Sequence, residues 1–211
     1  MGKLIAVLSL VVLLIPGVAN ANLLVNGSFE TSVDGDNTYG WSSTAPDAWN
    51  PINQAGVLDN PQSGSWNLRN FNDGGMKQEV VVTPGQAYRL TGYAWVPSGS
   101  VATAWGSYIQ LKFLTSTGGT VTGPTGSKTI DMKAKTRDQY NLGDTGEMVA
   151  PVNAAKARIM FGTYAAAPDY LVPGISDYDN FDFSPVPEPT SLLLLGSGLV
   201  GLFGLTKKKK A

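Results

Sequence analysis

Val80-Val81-Val82-Thr83-Pro84-Gly85-Gln86-Ala87-Tyr88-Arg89-Leu90-Thr91-Gly92-Tyr93-Ala94-Trp95-Val96 decides the fold class. A β-branched run ends at Thr83-Pro84-Gly85, a turn signal. Beyond the turn, Tyr88, Leu90, Ala94 and Val96 share one face of a period-two segment, and Arg89, Thr91, Tyr93 and Trp95 share the other. Strict alternation of this kind marks a strand with one face in a core.

The same period recurs on both sides. Residues 105–113 put Trp105, Ile109, Leu111 and Phe113 against Tyr108, Gln110 and Lys112. Residues 157–163 alternate Ala157, Ile159 and Phe161 with Arg158 and Met160, and residues 178–183 read as a last strand. Near the start, Leu23-Leu24-Val25 runs into the turn dipeptide Asn26-Gly27. Turn-rich clusters at 97–100, 115–126 and 141–146 separate the strands. No segment between 22 and 184 sustains a 3.6-residue apolar period, so the expected architecture is all-β, an antiparallel sandwich.

Composition narrows the chemistry. The 211 residues include no cysteine and no histidine. Disulfides, thiol nucleophiles, thiolate or imidazole metal sites and Ser-His-Asp triads are therefore excluded. Only 15% of residues are charged, and there are 25 glycines and 13 prolines, the balance of a turn-rich extracellular β protein. Residues 22–185 hold 10 basic and 15 acidic side chains. An acidic domain is a poor partner for nucleic acid or for an anionic membrane.

The two ends read as addresses. Lys3, an apolar run over 4–15 interrupted only by Ser9, Pro16-Gly17 and Ala19-Asn20-Ala21 have the parts of a signal peptide over 1–21, an N-terminal helix cleaved after Ala21. At the other end, Pro185-Val186-Pro187-Glu188-Pro189 is a stiff break. An apolar segment follows over 190–206, and then come Lys207 to Lys210. As a helix its 17 residues span about 25 Å, the short limit for hydrocarbon. The lysines belong on the cytoplasmic side, which leaves the domain outside.

Val186-Pro187-Glu188-Pro189, the Leu/Gly-rich span and the basic cluster together resemble the PEP-CTERM sorting signal, over 185–211. That resemblance implies export, recognition of Pro187, Glu188 and Pro189 by an exosortase-type processing enzyme, transient membrane contact through 190–206, and delivery to the cell surface or extracellular matrix. The all-lysine cluster departs from the arginine-rich form common in that family but supplies the same charge.

A second resemblance covers most of 22–184. Asn22-Leu23-Leu24-Val25-Asn26-Gly27-Ser28-Phe29-Glu30, the 80–93 stretch, and Tyr178-Asp179-Asn180-Phe181-Asp182-Phe183 resemble the opening, centre and close of galactose-binding-like jelly rolls, the fold of many carbohydrate-binding modules. It implies eight or nine strands, neighbouring termini and a structural calcium ion held by Glu30 and Asp179. Calcium takes six to eight oxygen ligands, and two adjacent carboxylates would repel without a cation. Asp34-Gly35-Asp36-Asn37 lacks the glycine and closing glutamate of an EF-hand and reads as a solvated turn.

Sugars pack their C–H faces on exposed aromatic rings. Tyr39, Trp41, Trp49 and Trp66 lie in Gly/Asn-rich surroundings, with Asn67, Arg69 and Asn70 beside Trp66 to bond hydroxyls. Arg89, Tyr93 and Trp95 share a strand face. The carbohydrate-binding candidates are thus Trp66, Trp41, Trp95, Tyr93 and Arg89, against the alternative that these rings fill the core. The 15 acids of the central domain fall in no catalytic pattern, so no enzyme is expected. The functional expectation is an exported, surface-sorted protein that binds or organises extracellular polysaccharide. A structural matrix protein is the alternative, and a carboxylate-based glycoside hydrolase the remote one.

Overall fold

Prolyl turn chemistry organises the centre of the chain. In the computed structural model Gly85 sits at φ +82° and the Gln86 amide donates to the Thr83 carbonyl at 3.2 Å. Proline before a positive-φ glycine is the signature of a type II turn. The structure describes residues 21–31, 39–43, 49–53, 61–71, 74–98, 105–132, 134–165 and 175–187. The signal-peptide reading, the 190–206 segment and the lysine cluster lie outside these residues, as do the loop acids Asp34 and Asp36. Asn22–Glu188 forms one compact unit.

Ten strands are described. They are β1 (Ser42–Ser43), β2 (Trp49–Asn53), β3 (Trp66–Phe71), β4 (Gly74–Val81), β5 (Ala87–Trp95), β6 (Trp105–Leu114), β7 (Ser127–Asp131), β8 (Tyr140–Val149), β9 (Lys156–Ala165) and β10 (Ile175–Pro185). They form two five-stranded antiparallel sheets, ordered β1-β4-β9-β6-β7 and β2-β3-β10-β5-β8. The turn at 83–86 therefore joins strands of different sheets. The fold is the expected antiparallel sandwich, with ten strands rather than eight or nine.

Alternation supplies the core. Tyr88, Leu90 and Ala94 of β5 face Ile109, Leu111 and Phe113 of β6 and Ala157, Ile159 and Phe161 of β9, all buried. In β10 a register shift between Asp179 and Asp182 places an extra residue, with Asn180 at φ +49°. A bulge of this kind resets the alternation. Tyr178 ahead of it and Phe181 and Phe183 after it consequently all point inward. Phe181 stacks on Phe161 at 4.5 Å between centroids, and Phe29 and Trp41 close the cluster edge-on.

One sequence expectation fails here. The cluster at 141–146 is not a turn but the middle of β8. Its Gly143 pairs with Gly92, and an added Cβ there would come within 2.8 Å of Ile109 Cδ1. The glycine answers close packing between the sheets, not a change of direction. The N-terminal stretch meets the last strand as anticipated. Leu23 N donates to Phe183 O, Phe181 N donates to Gly27 O, and the Asn22 amide bonds both Phe181 O and Phe183 N.

Candidate functional site

The outer face of the sheet β2-β3-β10-β5-β8 carries the chemistry. Register aligns Asn50, Arg69, Asp177, Trp95 and Tyr140 in one row across all five strands. The next row along β10, β5 and β8 is Asp179, Tyr93 and Leu142. Asp182, Thr91 and Asp144 form the third, and Ser184, Arg89 and Glu147 the fourth.

In the first row Arg69 grips Asp177 with two bonds of 2.6 Å, from Nε and from an Nη. Such a fork is the strong form of the ion pair. Asp177 is 1% exposed although its strand position points away from the core. Burial raises its pKa, and the Arg69 bonds and charge pull the other way. Beside this pair the Trp95 and Tyr140 rings meet edge to face, 5.6 Å apart. The Tyr140 hydroxyl accepts from Asn67 Nδ2 at 2.8 Å, and burial pushes the phenol pKa up, so it is neutral and available as a donor.

Two polar atoms in this cluster are unmatched. Asn67 Oδ1, an acceptor, and Trp95 Nε1, a donor, are buried without a hydrogen-bond partner among the described residues. Leaving such groups unpaired costs about 1–3 kcal/mol each.

The predicted ring residues separate on this geometry. Trp95, Tyr93 and Arg89 share the outer face, as alternation implied. Arg89 lies three rows from Trp95, where it is paired with Asp144. Trp41 is corrected: it is buried, its Nε1 bonds Asn26 O at 3.1 Å, and its ring packs on Phe29, Phe161 and Phe181. Its Gly/Asn-rich surroundings concealed a core position. Trp66 is half-buried and packs against the core cluster. Alternation sends it to the opposite side of β3 from Asn67 and Arg69, so these residues do not form one platform. Asn70 also faces inward and donates to Thr163 Oγ1. Trp49 begins β2, and Tyr39 is exposed. Sequence reasoning missed Tyr140 and Asp177. Tyr140 opens a strand disguised by Gly143 and Gly146, and Asp177 stands just before the recognised closing segment.

The metal candidates do converge. Glu30 Oε1 accepts the amides of Ser65 and Trp66 at 2.9 and 2.8 Å, and Asp179 accepts those of Ser63 and Asn180 at 3.2 and 2.7 Å. Both carboxylates thus gather on the loop before β3. Asp179 is fully buried, and desolvation first, then repulsion from Glu30, pushes its pKa up to about 7 against the pull of those amides. Among the described residues no lysine or arginine forms an ion pair with either. A buried Asp179 beside the like-charged, exposed Glu30 offers hard oxygen ligands of the kind that suit a calcium ion. Among the described residues no group of three or more His, Cys, Asp or Glu assembles, so backbone carbonyls would have to complete the shell.

Comparisons with known proteins agree with this architecture. Residues 185–209 match the family model described as "PEP-CTERM protein-sorting motif". No curated protein sequence matches the chain. Among solved structures, "Structure of TmCBM61 in complex with beta-1,4-galactotriose" aligns with a TM-score of 0.52 and 16% identity, over 79% of this chain and 99% of that one. "Xylan-Binding Domain from CBM 22" aligns at 0.53 and 14%, over 81% and 99%. The tandem CBM22 domain of Paenibacillus barcinonensis Xyn10C aligns at 0.52 and 15%, over 81% and 48%. The chain therefore carries a PEP-CTERM sorting motif at 185–209 behind a β-sandwich with the fold of carbohydrate-binding modules, and that motif indicates an exported surface protein processed by an exosortase.

Proposed function

We propose that this surface-sorted protein binds extracellular polysaccharide on the outer face of the sheet β2-β3-β10-β5-β8, without a catalytic step. The observation that carries the reading is the row Arg69, Asp177, Trp95 and Tyr140 on the outer face, where two half-buried rings meet edge to face beside a buried ion pair. The rings offer an apolar surface for sugar C–H groups, and the polar groups of the row beside them can bond hydroxyls. Tyr93 and Leu142 extend the surface along the strands.

Glu30 and Asp179 are proposed to hold a calcium ion, which would neutralise the pair and tie the loop before β3 to β10. The exosortase-type enzyme is the partner of Pro187, Glu188 and Pro189. The test is binding of the protein to a panel of insoluble and soluble polysaccharides, with reducing-sugar release followed in parallel. Retention on at least one glycan, lost in Trp95→Ala and Tyr140→Phe, is the expected result. Failure to bind any glycan would favour a structural matrix protein, and sugar release would mean an enzyme.

A further inference from the structure

One pole of the sandwich is where the chain leaves the domain. Three turns build that pole: 82–86, 114–120 and 149–155. They are laced together by Val82 N to Ala155 O, Gly85 N to Ala150 O, Ala150 N to Gln86 O and Ala155 N to Leu114 O. The exit segment joins them, since Val186 N donates to Ala87 O and Gln86 Nε2 donates to Val186 O. None of the residues in these turns, nor in the exit 185–187, is charged, although 15% of the chain is. Val152 at the tip is 91% exposed, and Val81 and Val149, on the flanks from the two sheets, are 78% and 50% exposed. The charges nearest these valines, Lys156 opposite Val81 and Glu147 two residues before Val149, lie on the strands below the turns.

From this pole only Glu188 and Pro189 separate Pro187 from the apolar segment at 190. At about 3.3–3.6 Å per residue that tether spans on the order of 10 Å. If 190–206 enters a bilayer, chain connectivity keeps this pole within that reach of the lipid surface. We infer that the pole formed by 82–86, 114–120 and 149–155 rests on the zwitterionic surface of the lipid bilayer before the tail is processed. Absence of charge within the three turns lets them approach the headgroups without stripping water from an ion, and Val81, Val149 and Val152 enter the interface. The consequence for function is orientation. Trp95 ends β5 eight residues beyond Ala87, about 27 Å along the strand. The proposed glycan-facing row therefore stands away from the membrane. This inference rests on the reading of 190–206 as a bilayer segment.

The chain has no cysteine, so a single introduced thiol labels one place. Full-length protein carrying a bimane at Val152→Cys, or at Ser98→Cys at the opposite pole, is reconstituted in phosphatidylcholine vesicles containing headgroup-nitroxide phosphatidylcholine. The expected result is severalfold stronger quenching at 152 than at 98, falling to the level at 98 when Val81→Asp and Val149→Asp are added. Both added positions are exposed, so the fold survives. Equal or weaker quenching at 152 in protein that floats with the vesicles overturns the orientation alone. Failure to float overturns the bilayer reading and the inference together. Pyrene excimer formation at 152 without lipid quenching would assign the pole to a second copy of the chain and overturn the inference as well.

Discussion

Replacing Asp179 by asparagine should flatten the pH dependence of stability in a predictable direction. The Asp179 carboxyl is held up to about 7 in the folded protein by burial and by Glu30, against about 3.9 in an unfolded chain. Between these values the folded state binds a proton that the unfolded state has released, so stability falls as pH rises from about 4 to about 7 and then levels. Three units at 1.36 kcal/mol each give about 4 kcal/mol. Asparagine keeps the shape and one of the two acceptor oxygens that the Ser63 and Asn180 amides use, and it cannot ionise; the lost acceptor lowers stability at every pH and leaves the slope comparison intact. The assay is urea denaturation followed by tryptophan fluorescence from pH 4.5 to 8.5 in chelator, for both proteins. Their difference isolates Asp179. Glu79 and Asp144, held low by Arg158 and Arg89, contribute the opposite slope in both. Calcium should restore the wild type at pH 8, by about 2.7 kcal/mol at 100 times its Kd, and leave the variant unchanged. Superimposable pH profiles in chelator would refute the burial argument. A wild type indifferent to calcium would remove the metal.

The ring residues divide by one pair of measurements. Trp95→Ala should abolish glycan retention with a nearly unchanged melting temperature, whereas Trp41→Ala should cost about 3–5 kcal/mol in denaturant titration because its ring fills the core. Arg69→Ala should cost about 3–5 kcal/mol at pH 7 by leaving Asp177 buried without its partner, and the loss should shrink in acid as Asp177 takes up a proton. Deleting 187–189 should leave an uncut, membrane-retained form in an exosortase-containing host, seen by intact mass as a chain still ending at Ala211.

What could be read without coordinates follows from one-sided burial. In β5, β6 and β9 only one face meets the core, so polar and apolar residues alternate and the strands declare themselves. β7 gives no such signal. Four of its five residues are exposed and the fifth, Ile130, is partly buried, which leaves no period to detect. β8 hides its period behind glycines at 143 and 146. β10 breaks its own period at the Asn180 bulge, the step that turns Phe181 and Phe183 inward.

The class of fold, the alternation within single strands, the place of the sorting motif and the kind of chemistry available to a chain with neither cysteine nor histidine are all legible in the order of residues. These are local or compositional properties, written in neighbouring residues. Tertiary structure decided the rest. Thr83-Pro84-Gly85 looks the same whether it closes a hairpin or crosses between sheets, and only the partners of β4 and β5 show the crossing. Trp41 and Trp95 are equally aromatic in sequence, but one lies between the sheets and the other on an outer face. Asn67, Tyr140 and Asp177 lie up to 110 positions apart and meet because β3, β10, β5 and β8 align in register. Register is set by the packing of whole strands against a common core, and no segment read alone contains that information.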